Sequence, residues 1–77
     1  MELVNDTAQN IISGKKSIKM VMAIGTAKLQ WSVDGEAFSD MPDTSQTSDS
    51  AFNLELPTIS IKAIITGDAK VYINDIR

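Results

Sequence analysis

Apolar and polar residues alternate along most of the chain, most regularly in residues 26–33, TAKLQWSV. Successive side chains of a β-strand point to opposite faces, so this pattern predicts a strand with one face in the core and one in water. The segment includes Trp31, which is the only tryptophan of the chain. The dipeptide Asp34-Gly35 comes next and predicts a type I′ hairpin turn, followed by a short edge strand at residues 37–39.

Four other segments alternate in the same way and are predicted to be strands, and two segments near the N-terminus are weaker candidates. The four are residues 17–24, 51–56, 59–66 and 69–73, and the weaker two are residues 3–4 and 8–12. A helix at residues 17–24 is disfavoured because Gly14 and Gly25 bracket only ten residues. Turns are predicted at residues 13–16 and at Gly67-Asp68, where glycine in the first central position suits a type II′ hairpin.

Turn signals recur about every eight to twelve residues, a spacing typical of β-sandwiches and small barrels. We therefore predict an all-β fold, either a small antiparallel β-sandwich or a partly open barrel, with about six to seven short strands. The 77 residues are expected to form a single domain, residues 1–77. Within it, residues 1–8 are a candidate N-terminal arm, and residues 40–50, DMPDTSQTSDS, are predicted to be a long polar loop.

The length and the missing residue types bear on how such a domain is stabilised. A chain of this size buries only about 60% of its unfolded surface, so its own core supports little stability. The sequence has no cysteine and no histidine, which removes disulfides, thiolate metal sites and the commonest general base near neutral pH. We therefore expect self-association or docking on a larger protein.

The charge of the chain argues against two classes of partner. A net charge of −3, with basic residues mostly spread singly, disfavours binding to a phosphate backbone, so no nucleic-acid partner is expected. The densest basic group, Lys15-Lys16 with Lys19, is interpreted as solvated side chains at a turn and strand edge. No signal peptide is visible, and no apolar run approaches the about 20 residues that span a membrane, so no membrane association is predicted.

Residue combinations that support catalysis or metal binding are few. A nucleophilic serine needs a base, and the Ser-x-x-Lys match from Ser13 to Lys16 falls in a predicted turn. Asp40, Asp43 and Asp49 offer oxygen ligands for calcium, but they lack the EF-hand spacing and are interpreted as a solvated acidic loop. We predict no enzymatic activity, no catalytic residue, no cofactor, no metal and no small-molecule ligand.

Apolar residues at outward positions are candidates for an interface, because clustered apolar surface marks contact sites. Trp31 shares a face with Leu29 and is assigned to the core, which leaves Tyr72 as the better candidate for an exposed aromatic contact. Outward strand positions, the N-terminal arm, the polar loop and the C-terminal tail together give the candidate interface residues Leu3, Val4, Val21, Met41, Ile64, Tyr72 and Ile76.

The order of the turn and strand motifs resembles that of small β-sandwich domains in virion proteins of tailed phages, such as head-decoration, neck and fibre-base modules. In these domains a strand ending in Ser-x-Asp-Gly precedes a Leu-Pro, a Lys-Ala or Arg-Ala, and a Thr-Gly pair. The matching positions are Ser32, Asp34, Gly35, Leu56-Pro57, Lys62-Ala63 and Thr66-Gly67. The resemblance covers about residues 13–76 and implies a structural role in the virion, often as a trimer or at symmetric sites of a shell. It transfers no active-site residues.

The functional prediction is a non-enzymatic virion protein, made in the host cytoplasm, that binds a larger viral structural protein of the capsid, neck or tail. The resemblance favours a homo-oligomer, with a trimer as the expected form. Two alternatives stay open. The first is a glycan- or receptor-binding module that uses Tyr72 and loop 40–50, and the second is a small phage protein that adds an edge strand to a host protein.

Overall fold

A computed structural model shows the fold and describes residues 1–76. Eight β-strands form the regular structure of these residues, and no helix occurs among them. The strands are β1 (Glu2–Leu3), β2 (Gln9–Ile11), β3 (Gly14–Val21), β4 (Thr26–Ser32), β5 (Ser39–Asp40), β6 (Ser50–Leu56), β7 (Ile59–Thr66) and β8 (Lys70–Asp75). Every predicted segment overlaps a strand, which confirms the all-β prediction.

The strands form two antiparallel sheets of four. Sheet I has the order β1-β8-β3-β6, and sheet II has the order β2-β7-β4-β5. Except for β4 and β5, strands that follow each other in the chain lie in different sheets, so the chain passes repeatedly between the layers. This arrangement is a small β-sandwich, with one or two strands more than predicted because the short strands β1, β2 and β5 all pair.

The core lies between the two sheets and is built from alternate residues of the long strands. Ile18 and Met20 of β3, Leu29 of β4, Ile61 of β7 and Val71 of β8 are fully buried. Burial of such aliphatic side chains stabilises the fold by roughly 1.5–3 kcal/mol each. Trp31, Phe52, Leu54, Ile59 and Ile65 are partly buried and pack against this cluster at its margin.

The connection after β4 differs from the predicted type I′ hairpin. Gly35 has a φ of +78°, but Asp34 lacks the positive φ that this turn requires. The Asp34 carboxylate instead accepts hydrogen bonds from Ser32 Oγ at 2.7 Å and from the Glu36 N–H at 2.8 Å. An aspartate that binds donors ahead of it in this way favours a wider loop, and strand pairing resumes only at Ser39.

The predicted turn at Gly67-Asp68 forms, but it does not make a hairpin. Gly67 has a φ of +63°, and the Ala69 N–H donates to the Thr66 carbonyl at 3.4 Å, as in a β-turn. Since β7 belongs to sheet II and β8 to sheet I, this turn carries the chain from one layer to the other. The prediction of a type II′ hairpin at this position is therefore wrong.

Residues 22–25, which connect β3 to β4, pack against that turn. The Asp68 carboxylate accepts hydrogen bonds from the backbone N–H groups of residues 23–25, the last of them from Gly25 at 2.9 Å. A Cβ atom at Gly25 would collide with the Thr66 carbonyl oxygen and lie 2.9 Å from the Ala69 nitrogen. The close approach of these two crossings therefore requires glycine at position 25.

Two apolar residues predicted to face the core are in solvent. Ile24 is 87% exposed and Val33 is 95% exposed. Each follows the end of a strand, since β3 ends at Val21 and β4 ends at Ser32. Beyond those points the alternation of strand side chains no longer decides which side chain is buried.

The segment predicted to be a polar loop is bound along β4. The Met41 N–H donates to the Leu29 carbonyl at 2.9 Å, and Gln46 and Ala27 exchange two backbone hydrogen bonds of 2.8 and 3.0 Å. Between these points the Thr44 hydroxyl accepts a hydrogen bond from the Leu29 N–H at 3.1 Å. The segment therefore extends the edge of sheet II beyond β5, and Met41 and Thr44 are buried.

Candidate functional site

The structure divides the candidate interface residues among the core, the two outer faces and one end of the sandwich. Leu3 and Met41 are 1% and 5% exposed, so they belong to the core and cannot contact a partner of the folded chain. Leu3 is buried because β1 pairs with β8, and Met41 because its segment is bound to β4. Ile64 lies on the outer face of sheet II, opposite Lys28, and Ile76 lies just past β8.

The outer face of sheet I brings Val21 and Tyr72 together. Tyr72 of β8 is the cross-strand partner of Lys19, and Val21 of β3 is the partner of Lys70. Residues two apart on a strand share a face, so these four side chains form a surface on which apolar groups and cations alternate. We call Lys19, Val21, Lys70 and Tyr72 the sheet I patch. Val4, which follows the buried Leu3 at the edge of sheet I, is 62% exposed.

The two lysines of the sheet I patch have no counter-ion within the described residues. Lys19 and Lys70 are exposed, and neither makes an ion pair or a side-chain hydrogen bond there. Tyr72 and Val21 are only partly buried beside them. Glu2, the other cross-strand partner of Tyr72, is an acidic neighbour on the β1 side. The patch thus offers hydrated cations next to apolar surface.

The outer face of sheet II is organised differently, because its lysines are bound by other parts of the chain. Lys62 Nζ lies 2.8 Å from the Asp6 carboxylate and 4.5 Å from the centre of the Phe38 ring. Lys28 Nζ lies 3.1 Å from the Asp40 carboxylate at the sheet edge. These contacts hold the N-terminal connection, the loop after β4 and β5 against the sheet.

Three carboxylates are shifted toward the ionised form by the hydrogen bonds they accept. The Ser32 hydroxyl, followed by two backbone N–H groups, lowers the pKa of Asp34 to about 2. Hydrogen bonds from Gln30 and then Lys28 lower the pKa of Asp40, and the backbone N–H groups of residues 23–25 lower that of Asp68. Asp34 and Asp68 fasten connecting segments to the sandwich, and Asp40 fastens β5 to β4, so all three have structural roles.

The two parts of the predicted glycan site, Tyr72 and loop 40–50, do not share one layer over most of the loop. Tyr72 lies on the outer face of sheet I, whereas residues 41–46 are bound along β4 at the edge of sheet II. The end of the loop reaches sheet I, where the Asp49 carboxylate accepts the Met22 N–H and Ser50 pairs with Met20.

A cleft of about 320 Å³ opens at one end of the sandwich and is lined in part by Lys16 and Asp75. Lys16 was expected to be solvated in a turn, but it lies in β3 with its side chain directed between the sheets and is 5% exposed. Its ammonium group pairs with the Asp75 carboxylate, which compensates the burial of the charge. Ser13, the serine of the Ser-x-x-Lys match, donates its N–H to Thr58 and makes no hydrogen bond to Lys16.

The aspartates considered as calcium ligands serve different segments. Asp40 pairs with Lys28, whereas the Asp49 carboxylate accepts the Met22 N–H at 2.8 Å. Within residues 1–76, no three acidic side chains lie close enough together to hold a metal ion. A search of the same residues for a helix that is long and apolar enough to cross a membrane found none.

The predicted interface includes Val21 and Tyr72 but not the two lysines of the sheet I patch. The alternation in β3 places Lys19 on the same face as Val21, so the sequence alone predicts that these two residues are neighbours. The position of Lys70 depends on the register between β3 and β8, which no local signal encodes.

Comparison of the chain with protein-family models, curated proteins and solved structures gave no match.

Proposed function

We propose that this chain is a non-enzymatic interaction protein that binds a larger protein through the sheet I patch. The observation that carries this proposal is the contrast between the two outer faces. Lys28 and Lys62 of sheet II are paired within the molecule, whereas the lysines of the patch have no counter-ion among the described residues. A surface whose charges lack counter-ions and whose apolar groups are partly exposed is suited to an external partner.

The chemistry of the patch indicates the kind of surface that it fits. Tyr72 supplies a large apolar ring with a polar hydroxyl, and tyrosine is enriched among residues that dominate binding energy. Lys19 and Lys70 would accelerate the approach of an acidic surface and select against a basic one. The expected partner is therefore a protein surface on which carboxylates surround a shallow apolar site.

The resemblance to phage β-sandwich domains suggests which larger protein this is. We propose a structural protein of the capsid, neck or tail, on which copies of this chain occupy symmetric sites. Many weak contacts on such a lattice hold small domains firmly, because a multivalent assembly binds far more tightly than its single contacts. This part of the proposal is supported by the Ser32-to-Gly35 and Leu56-Pro57 motifs and by the sandwich fold.

Quantitative mass spectrometry of purified virions tests the proposal. We expect the wild-type chain in fixed stoichiometry, and at least about tenfold less of a double variant with Lys19→Glu and Tyr72→Ala. Ile64→Ala, which shortens a partly buried apolar side chain on the other outer face, is the matched control and should be incorporated normally. Absence of the wild-type chain from virions, or normal incorporation of the double variant, would refute the proposal.

A further inference from the structure

Strand β6 is the longest edge strand of either sheet. It pairs with β3 on one side, and no strand within residues 1–76 pairs with its other side. The other edge strands, β1, β2 and β5, have two, three and two residues, and the edge at β5 is continued by the hydrogen-bonded segment 41–46. The seven residues of β6 therefore form an open edge that can accept a further strand.

The backbone groups on the open side of β6 can be assigned from the hydrogen-bond ladder. The Ile76 N–H donates to the Lys15 carbonyl at 3.1 Å, so odd-numbered residues of β3 bond to the β8 side and even-numbered residues bond to β6. The even-numbered residues of β6 accordingly bond to β3. Ala51, Asn53 and Glu55 direct their N–H and C=O groups away from the sheet.

The side chains of β6 do not protect this edge. Natural edge strands are commonly blocked by lysine, proline or an inward-pointing charge, whereas β6 contains only one charged residue, Glu55, which points outward. On its inner face, Phe52 and Leu54 are partly buried and lie at the margin of the core. A strand added beside β6 would cover these two side chains.

We propose that β6 pairs with β6 of a second copy of this chain, antiparallel and centred on Asn53. In this register Asn53 faces its own copy, and its outward N–H and C=O groups form two hydrogen bonds across the two-fold axis. Ala51 pairs with Glu55, so no like charges meet. Phe52 lies opposite Leu54 on the inner face, where an aromatic and an aliphatic side chain pack favourably. The product is one continuous eight-stranded sheet.

The self-complementarity of β6 favours a second copy over a foreign strand as the occupant. A two-fold contact uses the same surface on both subunits. In the register centred on Asn53, the backbone hydrogen bonds and the side chains of β6 both match those of a second β6. Pairing of one strand buries less than the about 1,600 Å² of a standard interface, so the dimer should form at high protein concentration. The proposal is independent of the partner-binding proposal, because the sheet I patch lies on the outer face and not at this edge.

Thiol crosslinking tests the register, because the chain has no cysteine of its own. Residues that face each other in a hydrogen-bonded antiparallel pair have Cα atoms about 5.5 Å apart, which a short bismaleimide can bridge and which strains a direct disulfide. We expect Asn53→Cys to form a covalent dimer with a short bismaleimide, as seen on a denaturing gel. Ser17→Cys, on the same face but in the interior strand opposite Asn53, is the control and should remain monomeric. Equal crosslinking of both variants, or none of either, would overturn the proposal.

Charge substitution tests the same pairing without a covalent bond. We expect wild-type protein to dimerise with concentration in sedimentation velocity, Asn53→Lys to weaken dimerisation at least about tenfold, and Ser17→Lys to leave it unchanged. A mixture of Asn53→Lys with Asn53→Asp should recover the dimer, and circular dichroism should show folded protein throughout. A wild-type chain that stays monomeric, or a dimer that Asn53→Lys does not weaken, would refute the pairing. Binding of a foreign extended peptide by a monomeric chain would assign the edge to another partner.

Discussion

Sheets I and II share one core and have the same number of strands, but they differ in how far their edge backbone groups and surface charges are paired within the chain. In sheet II the segment 41–46 bonds along the edge at β4, and Lys28 and Lys62 pair with carboxylates of neighbouring segments. In sheet I the edge at β6 is open, and the outer face carries Lys19 and Lys70 without counter-ions among the described residues. The chain thus uses its connecting segments to complete one layer and leaves the other available for contact.

The comparison shows why the location of polar segments matters more than their number. The loops after β4 and β5 contain most of the Ser, Thr and Asp residues of the middle of the chain, and both fold back on sheet II. Had they extended into solvent, both sheets would present open edges and unpaired charges. The surface of sheet I that we propose as the binding site is therefore defined by what the loops leave uncovered.

The largest effect on stability is expected for Met41. Its burial shows that segment 41–46 is bound to the core and is not a mobile loop. Met41→Ala should lower the free energy of unfolding by roughly 2–5 kcal/mol, because it removes core volume beside β4. Val33→Ala is the control, since Val33 is apolar but exposed, and should change stability by no more than about 0.5 kcal/mol. Urea unfolding measures both. A neutral Met41→Ala would show that the segment is not part of the core.

A smaller effect is expected for the hydroxyl that joins this segment to β4. Thr44→Val keeps the shape of the side chain but leaves the buried Leu29 N–H without its acceptor and removes the bond to the Met41 carbonyl. The expected loss is about 1–3 kcal/mol. Thr47→Val, at an exposed position just beyond segment 41–46, is the matched control. Equal stability of the two variants in urea would contradict the role assigned to Thr44.

The strands of both sheets could be predicted because the alternation of side chains is written in each segment. Core residues such as Ile18, Leu29 and Val71 follow directly from that period. The sheet to which each strand belongs is not encoded locally, and Gly67 has the positive φ of a hairpin turn in a connection that joins two layers. For this reason the sequence predicts which single residues face outward, but it does not predict that those of β3 and β8 form the sheet I patch.

The sequence predictions that fail at polar positions fail for a common physical reason. Lys16 reads as solvated in the sequence, yet Asp75, 59 positions away, compensates its burial. Asp34-Gly35 is typical of a tight turn, yet the hydroxyl of Ser32 gives the carboxylate a different partner. In both places a polar group finds a specific partner, and composition and periodicity do not report such pairs.

Stability at low pH should depend on the carboxylates that fasten the connecting segments. The pKa of Asp34 is lowered to about 2 from an ordinary value of 3.8, so its contribution is complete above about pH 4 and is lost as the pH falls toward 2. Asp34→Asn should therefore reduce the loss of stability over this interval in urea unfolding. Asp43→Asn is the control, because the Asp43 carboxylate accepts no hydrogen bond within the described residues. An unchanged pH dependence in Asp34→Asn would contradict the assignment.

The smallest predicted effect is the most direct measure of the difference between the two outer faces. Lys62 is largely covered, with 20% of its side chain exposed, while its partner Asp6 is 63% exposed, so their coupling should be that of a surface ion pair, about 0.2–1 kcal/mol. A double-mutant cycle with Lys62→Met and Asp6→Asn isolates it by urea unfolding. The same cycle on Lys19→Met and Glu2→Gln, which flank Tyr72 on sheet I without forming an ion pair, should give a coupling near zero. Equal couplings would mean that the charges of sheet I are paired as fully as those of sheet II, which would contradict the proposed binding surface on sheet I.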